Sequence, residues 1–140
     1  MPERHFAIAV LTNADRGTMA HTKIADAALD RLLGLPSSKP ATISLDPNLL
    51  SKYAGRYSHN LAEYTLTAEN GGFRLARVSI NPFAHEKTTL DPLRLVPIDE
   101  QKFMVEAGIA EGSIADFILN DDGSIRFFRF GGRLAYRVRE

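Results

Sequence analysis

Over its last two thirds the sequence is interrupted at short intervals by glycine and asparagine clusters, and this rhythm restricts the fold more than any other feature. Tyr64-Thr65-Leu66-Thr67 runs into Asn70-Gly71-Gly72 and re-emerges as Phe73-Arg74-Leu75-Ala76-Arg77-Val78. Phe117-Ile118-Leu119 meets Asn120-Asp121-Asp122-Gly123 and continues through residues 125–130, where Gly131-Gly132 turns the chain into Arg133-Leu134-Ala135-Tyr136-Arg137-Val138. Asparagine and glycine accept the positive φ of tight hairpin turns, so each cluster joins two neighbouring antiparallel strands. Further strands fit residues 55–58, 93–98 and 102–106, about eight in all. Successive hairpins without a long crossover predict a mainly β fold, an up-and-down antiparallel barrel in preference to a sandwich.

The first third has a different texture. His5-Phe6-Ala7-Ile8-Ala9-Val10-Leu11-Thr12-Asn13 is a short apolar run without alternation, which predicts a strand buried on both faces. Turn residues follow at 13–17. From about Thr18 the pattern is helical, with Ala20, Ile24, Ala28 and Leu32 on one stripe and Ala25, Leu29 and Leu33 beside it. Gly34 and Leu35-Pro36 end it, because glycine takes the left-handed conformation and proline bars continuation. Two prolines stiffen a polar stretch over 36–42, and Asp46-Pro47 has the chemistry of an N-cap and first helical position for one or two turns. The expected organisation is therefore a strand-helix unit at 1–35, a linker at 36–46 and a barrel at 47–140.

Composition removes several classes of function. Lysine plus arginine total 17 and aspartate plus glutamate total 17, so no overall field draws the chain to nucleic acid. There is no cysteine, which excludes disulfides, thiolate catalysis and thiolate metal sites and leaves the compartment open. Met1-Pro2-Glu3-Arg4 lacks the basic-then-apolar opening of a signal peptide, and the longest apolar stretch, residues 6–11, is too short for a membrane-spanning helix.

Both halves resemble parts of one family. Residues 6–13, ending Leu11-Thr12-Asn13, followed by a helix ending Leu32-Leu33-Gly34-Leu35, resemble the close of the catalytic domain in serine β-lactamase-like and penicillin-binding-protein-like hydrolases. Tyr53-Ala54-Gly55-Arg56-Tyr57, Leu95-Val96-Pro97 through Phe103, and Asp122-Gly123 through Gly131-Gly132-Arg133 resemble the lipocalin-like barrel appended to many of them. The resemblance implies a lipocalin-like barrel preceded by a strand-helix remnant of an α/β catalytic domain. It implies a parent hydrolase, in a family often periplasmic or extracellular, acting on amide, ester or β-lactam bonds.

The catalytic motifs of that family are missing from this chain. Its nucleophile lies in Ser-x-x-Lys, where lysine one helical turn on helps deprotonate the serine. The positions three before the five lysines here are Ala20, Pro36, Leu49, Ala84 and Asp99. No tyrosine opens a Tyr-x-Asn, and Lys87-Thr88-Thr89 and His21-Thr22-Lys23 only approach Lys-Thr-Gly and His-Thr-Gly. Ser58-His59-Asn60 matches Ser-x-Asn, a pattern of little weight without a nucleophile. The expectation is a non-catalytic accessory domain, inactive alone, with no catalytic residue and no cofactor. The alternative is a stand-alone lipocalin-like protein that binds a small ligand.

Other residues have competing readings. His5, His21, His59 and His85 lack metal-ligand spacing, so no metal is expected. Asn120-Asp121-Asp122-Gly123 reads as a hairpin turn in preference to a calcium loop. Arg126, Arg129, Arg133, Arg137 and Arg139 are either solvated side chains on outer strand faces or contacts for an anion or partner. The lipocalin resemblance implies that Arg133 or Arg137 covers Tyr57 in a cation–π contact and closes the barrel base. The aromatic residues predict a filled or nearly filled interior. Without its parent sheet the 5–35 segment loses apolar cover, at roughly 1.5–3 kcal/mol for each large side chain. It is expected to dock on the barrel, to pair with a second copy as a homodimer, or to be disordered.

Overall fold

The computed structural model describes residues 1–13, 17–36 and 39–138. They divide into two compact units, Met1–Lys39 and Pro40–Glu140.

The first unit opens with a 3₁₀ turn, Pro2–Arg4, and contains one long helix, α1 (Gly17–Leu33). Gly34 at φ 63° takes the left-handed position after α1, and its N–H donates to the Asp30 carbonyl at 2.9 Å, which satisfies an orphan group of the last turn. Arg4 Nη1 donates to the Leu33 carbonyl at 3.3 Å. The apolar run at 5–13 does not form the expected strand: no ladder includes it, and Leu11 is 93% exposed. A strand of that kind is held by neighbours on both sides, and composition alone supplies none. Ile24 and Leu32, on the expected apolar stripe of α1, are exposed as well. The turn expected at 13–17 falls partly outside the described residues, as do residues 37 and 38 of the linker.

The second unit begins with a short helix, α2 (Pro47–Tyr53), capped as its sequence suggests. Asp46 accepts a 2.7 Å hydrogen bond from the Asn48 N–H, and Pro47 occupies the first turn. Eight strands follow: β1 (Gly55–His59), β2 (Ala62–Glu69), β3 (Gly72–Ile80), β4 (Lys87–Pro97), β5 (Lys102–Val105), β6 (Ile114–Leu119), β7 (Ile125–Phe130) and β8 (Arg133–Arg137). Each pairs antiparallel with the next and β8 returns to β1, which closes the barrel and leaves no sheet edge. The β2–β3 turn carries positive φ at Asn70 and Gly71, as an Asn-Gly hairpin requires. The β3–β4 register shifts between Leu75 and Arg77, opposite Asp91-Pro92. Proline cannot donate to a ladder, so it is accommodated at this irregularity.

Strand alternation sends one set of side chains inward. Tyr57, Tyr64, Leu66, Phe73, Leu75, Leu95, Phe103, Val105, Phe117, Phe128 and Ala135 form the buried core with Leu50 and Tyr53 of α2. The rings pack edge-on and stacked; Phe117 lies 4.2 Å from Tyr53 in a parallel stack and meets Phe103 edge-on at 5.8 Å. The centre of the barrel is occupied by these aromatic side chains.

Candidate functional site

The two ends of the barrel differ, and the difference follows from α2. At one end, the base, Tyr53 and Leu50 of α2 are buried over the ring core. Tyr57, expected as the closing aromatic, is fully buried there and its hydroxyl donates to the Tyr53 carbonyl at 2.7 Å. Burial pushes its phenol up to about 12, against the opposing pull of Arg137. Arg137 is the register partner of Tyr57 on β8. Its guanidinium donates to the carbonyls of Lys52 at 3.2 Å and Ala54 at 2.9 Å, at the C-terminal end of α2. A cation there satisfies orphan carbonyls and complements the negative end of the helix.

The expected cation–π contact on Tyr57 is replaced by this carbonyl clamp. Among the described residues the cation–π contact is Arg126 over Phe127, at 5.2 Å. Arg133 follows the β7–β8 turn and pairs in register with Phe130, so it belongs to the opposite end.

That opposite end, where the β1–β2 and β7–β8 turns lie, is the mouth. A cavity of about 240 Å³ lies there, open on one side. Its polar lining is His59, Tyr64, Arg77, Ser79 and Arg133, and no carboxylate side chain is among the lining residues. Strand register brings them together: His59 stands opposite Ala62, which stands opposite Ser79, while Tyr64 stands opposite Arg77. Leu61, Leu90 and Phe130 supply apolar wall.

Hydrogen bonds define the state of this cluster. The Leu61 N–H donates to His59 Nδ1 at 3.1 Å, which assigns the imidazole proton to Nε2, 3.3 Å from the Tyr64 hydroxyl oxygen. Burial lowers the His59 pKa, an Asn60 hydrogen bond opposes this, and the positive charge of Arg133 adds to the lowering. Burial also raises the Tyr64 phenol, opposed by Arg77 and Arg133. Arg77 donates from Nε and Nη2 to the Asp91 carbonyl at 3.3 and 2.7 Å. Its half-buried guanidinium is pulled below its ordinary value by desolvation, with Tyr64 and Asp91 opposing through space. It remains a cation, since an arginine has a very large margin before it loses its proton.

The C-terminal arginines, alike in sequence, have separate fates. Arg129 forms a two-pronged pair with Asp116, at 2.8 and 2.5 Å. Arg137 holds α2, Arg126 lies over Phe127, and Arg133 faces the mouth. Arg139 lies outside the described residues. Asn120-Asp121-Asp122-Gly123 forms a turn whose polar groups bind one another: the Ser124 N–H donates to Asp122 at 2.8 Å, and Asn120 Nδ2 to the Ser124 hydroxyl at 2.8 Å. These bonds to Ser124 hold the Asp122 carboxyl below the usual carboxylate range. Among the described residues no group of three or more potential ligands is placed to hold a metal, and no helix is long and apolar enough to cross a membrane.

Sequence reasoning singled out Arg133 and missed Tyr64, Arg77 and Ser79 as its neighbours. A signal was present, since a short turn at Asn60-Leu61 aligns position 59 with 62 and, through the Asn-Gly hairpin, position 64 with 77.

No protein-family profile and no curated protein matches this chain. Among solved structures, a crystal structure of SurE with D-Leu is similar to it at 18% identity, over 85% of this chain and 28% of that one, with a TM-score of 0.53. A second SurE crystal structure is 21% identical over 86% of this chain and 27% of that one, with a TM-score of 0.40. The chain thus spans little more than a quarter of the SurE chains, and the first likeness is one of fold alone.

Proposed function

We propose that this chain is a non-catalytic C-terminal accessory portion of a serine β-lactamase-like hydrolase, whose barrel shapes substrate access to the parent's catalytic domain or supports its oligomerisation. The parent cleaves amide, ester or β-lactam bonds through a Ser-x-x-Lys nucleophile that this chain lacks. The observation that carries the reading is the filled interior: Tyr53, Tyr57, Phe73, Phe103 and Phe128 are each buried to 1% exposure or less inside the closed sheet. A lipocalin-like barrel without a deep chamber is better suited to presenting surfaces and a shallow rim than to enclosing a ligand. The order of sequence features supports the same reading.

The partners follow from this proposal: the parent catalytic domain, or a second copy meeting residues 5–35. The alternative, a stand-alone small-ligand binder, draws on one observation, the cavity at the mouth.

The DNA upstream of the Met1 codon tests the main reading. A continuous frame, or an adjoining gene, encoding Ser-x-x-Lys and Tyr-x-Asn is the expected finding. In-frame stop codons with no such gene beside them would overturn it. The purified chain should hydrolyse neither a chromogenic cephalosporin nor a nitrophenyl ester above buffer. A covalent acyl adduct on any of its side chains, seen by intact mass, contradicts the non-catalytic assignment.

A further inference from the structure

We propose that the barrel mouth is a binding site for a small organic carboxylate, held by the guanidinium of Arg133 with Arg77 and the Tyr64 hydroxyl, its short apolar tail lying against Leu61, Leu90 and Phe130. The site stands on its own geometry and does not depend on the hydrolase reading.

Charge is the first argument. The chain as a whole is formally neutral, yet the mouth lining holds two guanidinium groups and no carboxylate. Three other arginines of the barrel are used internally: Arg129 by Asp116, Arg137 by α2, and Arg94 by the carbonyls of Glu69 and Asn70. Arg133 has no hydrogen-bond or ion-pair partner among the described residues. Arg77 is half-buried and donates only to one backbone carbonyl, so part of its fork of donors remains for a ligand. A partly desolvated cation without an anionic hydrogen-bond partner gains from an incoming anion, and a guanidinium matches a carboxylate in two-pronged geometry. Tyr64 adds direction: its oxygen accepts from His59, which leaves the hydroxyl proton for an acceptor in the mouth.

Size and wall chemistry narrow the ligand further. A volume of about 240 Å³ has room for on the order of eight water-sized groups. That suits a short-chain carboxylic acid. Inorganic phosphate would satisfy the arginines but would leave the apolar wall uncovered.

The test uses the full chain, isotope-labelled for NMR, titrated with hexanoate, hexanamide and inorganic phosphate. Hexanoate should produce saturable shifts confined to amides at 59–64, 77–79 and 130–133. Hexanamide and phosphate should each bind about tenfold more weakly or worse, as expected when a charge-assisted pair or an apolar contact is lost. R133Q alters an exposed side chain without internal hydrogen bonds, so it should leave the spectrum folded and weaken hexanoate about tenfold. R77K serves as the second variant and should weaken hexanoate while preserving the charge. Absence of saturable shifts with hexanoate, equal binding of hexanamide or of phosphate, or an affinity unchanged in R133Q would each overturn the proposal.

Discussion

Tyr57 shows how much one hydroxyl does in this barrel. Its ring fills the base and its proton satisfies the Tyr53 carbonyl at 2.7 Å. Tyr57→Phe keeps the ring but strands that carbonyl, so urea unfolding at neutral pH should report a loss of about 1–2 kcal/mol. The same residue governs alkaline behaviour. In the unfolded chain the phenol ionises at its ordinary value of 10.0, whereas in the folded chain it holds its proton to about 12. The unfolded state therefore releases the proton first, and stability falls as pH rises from 10 towards 12. Tyr53 and Tyr64 are raised too and contribute in the same direction, so Tyr57→Phe should reduce the slope without abolishing it. His59 works on the acid side. Its folded pKa is below 6.5, so its stabilising contribution is complete above that value and is lost as pH drops through the lowered folded value. NMR titration should find His59 protonating below 6.5, and Arg133→Gln should move that midpoint upward by removing a neighbouring positive charge.

At the scale of elements, the base depends on how α2 is tied to the sheet. Seven residues make a helix too short to persist alone, so its packing and end groups must hold it. Arg137→Gln leaves the carbonyls of Lys52 and Ala54 without their cationic donor, and a loss of about 1–2 kcal/mol is expected. Hydrogen exchange would check this at the Ala54 amide, which donates to Leu50 and should lose protection before the β2–β3 ladder does. The β3–β4 crossing has a stricter requirement. A Cβ on Gly72 would lie 2.2 Å from the Leu95 carbonyl oxygen, a backbone atom that cannot swing aside. Gly72→Ala should therefore cost about 2–3 kcal/mol or more in urea unfolding, well above an exposed alanine substitution. The sequence shows Gly72 as part of a turn cluster; only the neighbouring strand reveals it as a point of close approach.

For the molecule as a whole, the buried core is drawn from residues of the second unit. A chain of residues 40–140 should therefore fold without the first 39, unfolding in one cooperative transition with a near-ultraviolet signal from its packed tyrosines. A molten, non-cooperative transition for that shorter chain would show that its core count is insufficient. Closure is the other property at this scale. With β8 paired to β1, the ladder has no free edge, and this all-antiparallel sheet can tolerate a polar outer face while its interior is packed with apolar side chains.

Local chemistry was enough to read most of the strands, because hairpin turns demand positive φ and only a few residues supply it cheaply. The Asp46-Pro47 cap and the Gly34 stop were legible for the same reason: each satisfies orphan backbone groups within a few residues along the chain. Residues 5–13 were not legible in that way, since an apolar run states a need for cover without naming what covers it. The arginines mark the boundary most clearly. Nothing along the sequence distinguishes Arg129, Arg133 and Arg137, yet closure of the barrel gives one a carboxylate, one an open mouth and one the end of a helix. A side chain's charge belongs to the residue, but its partner is decided by register and closure, which bring together positions far apart along the chain.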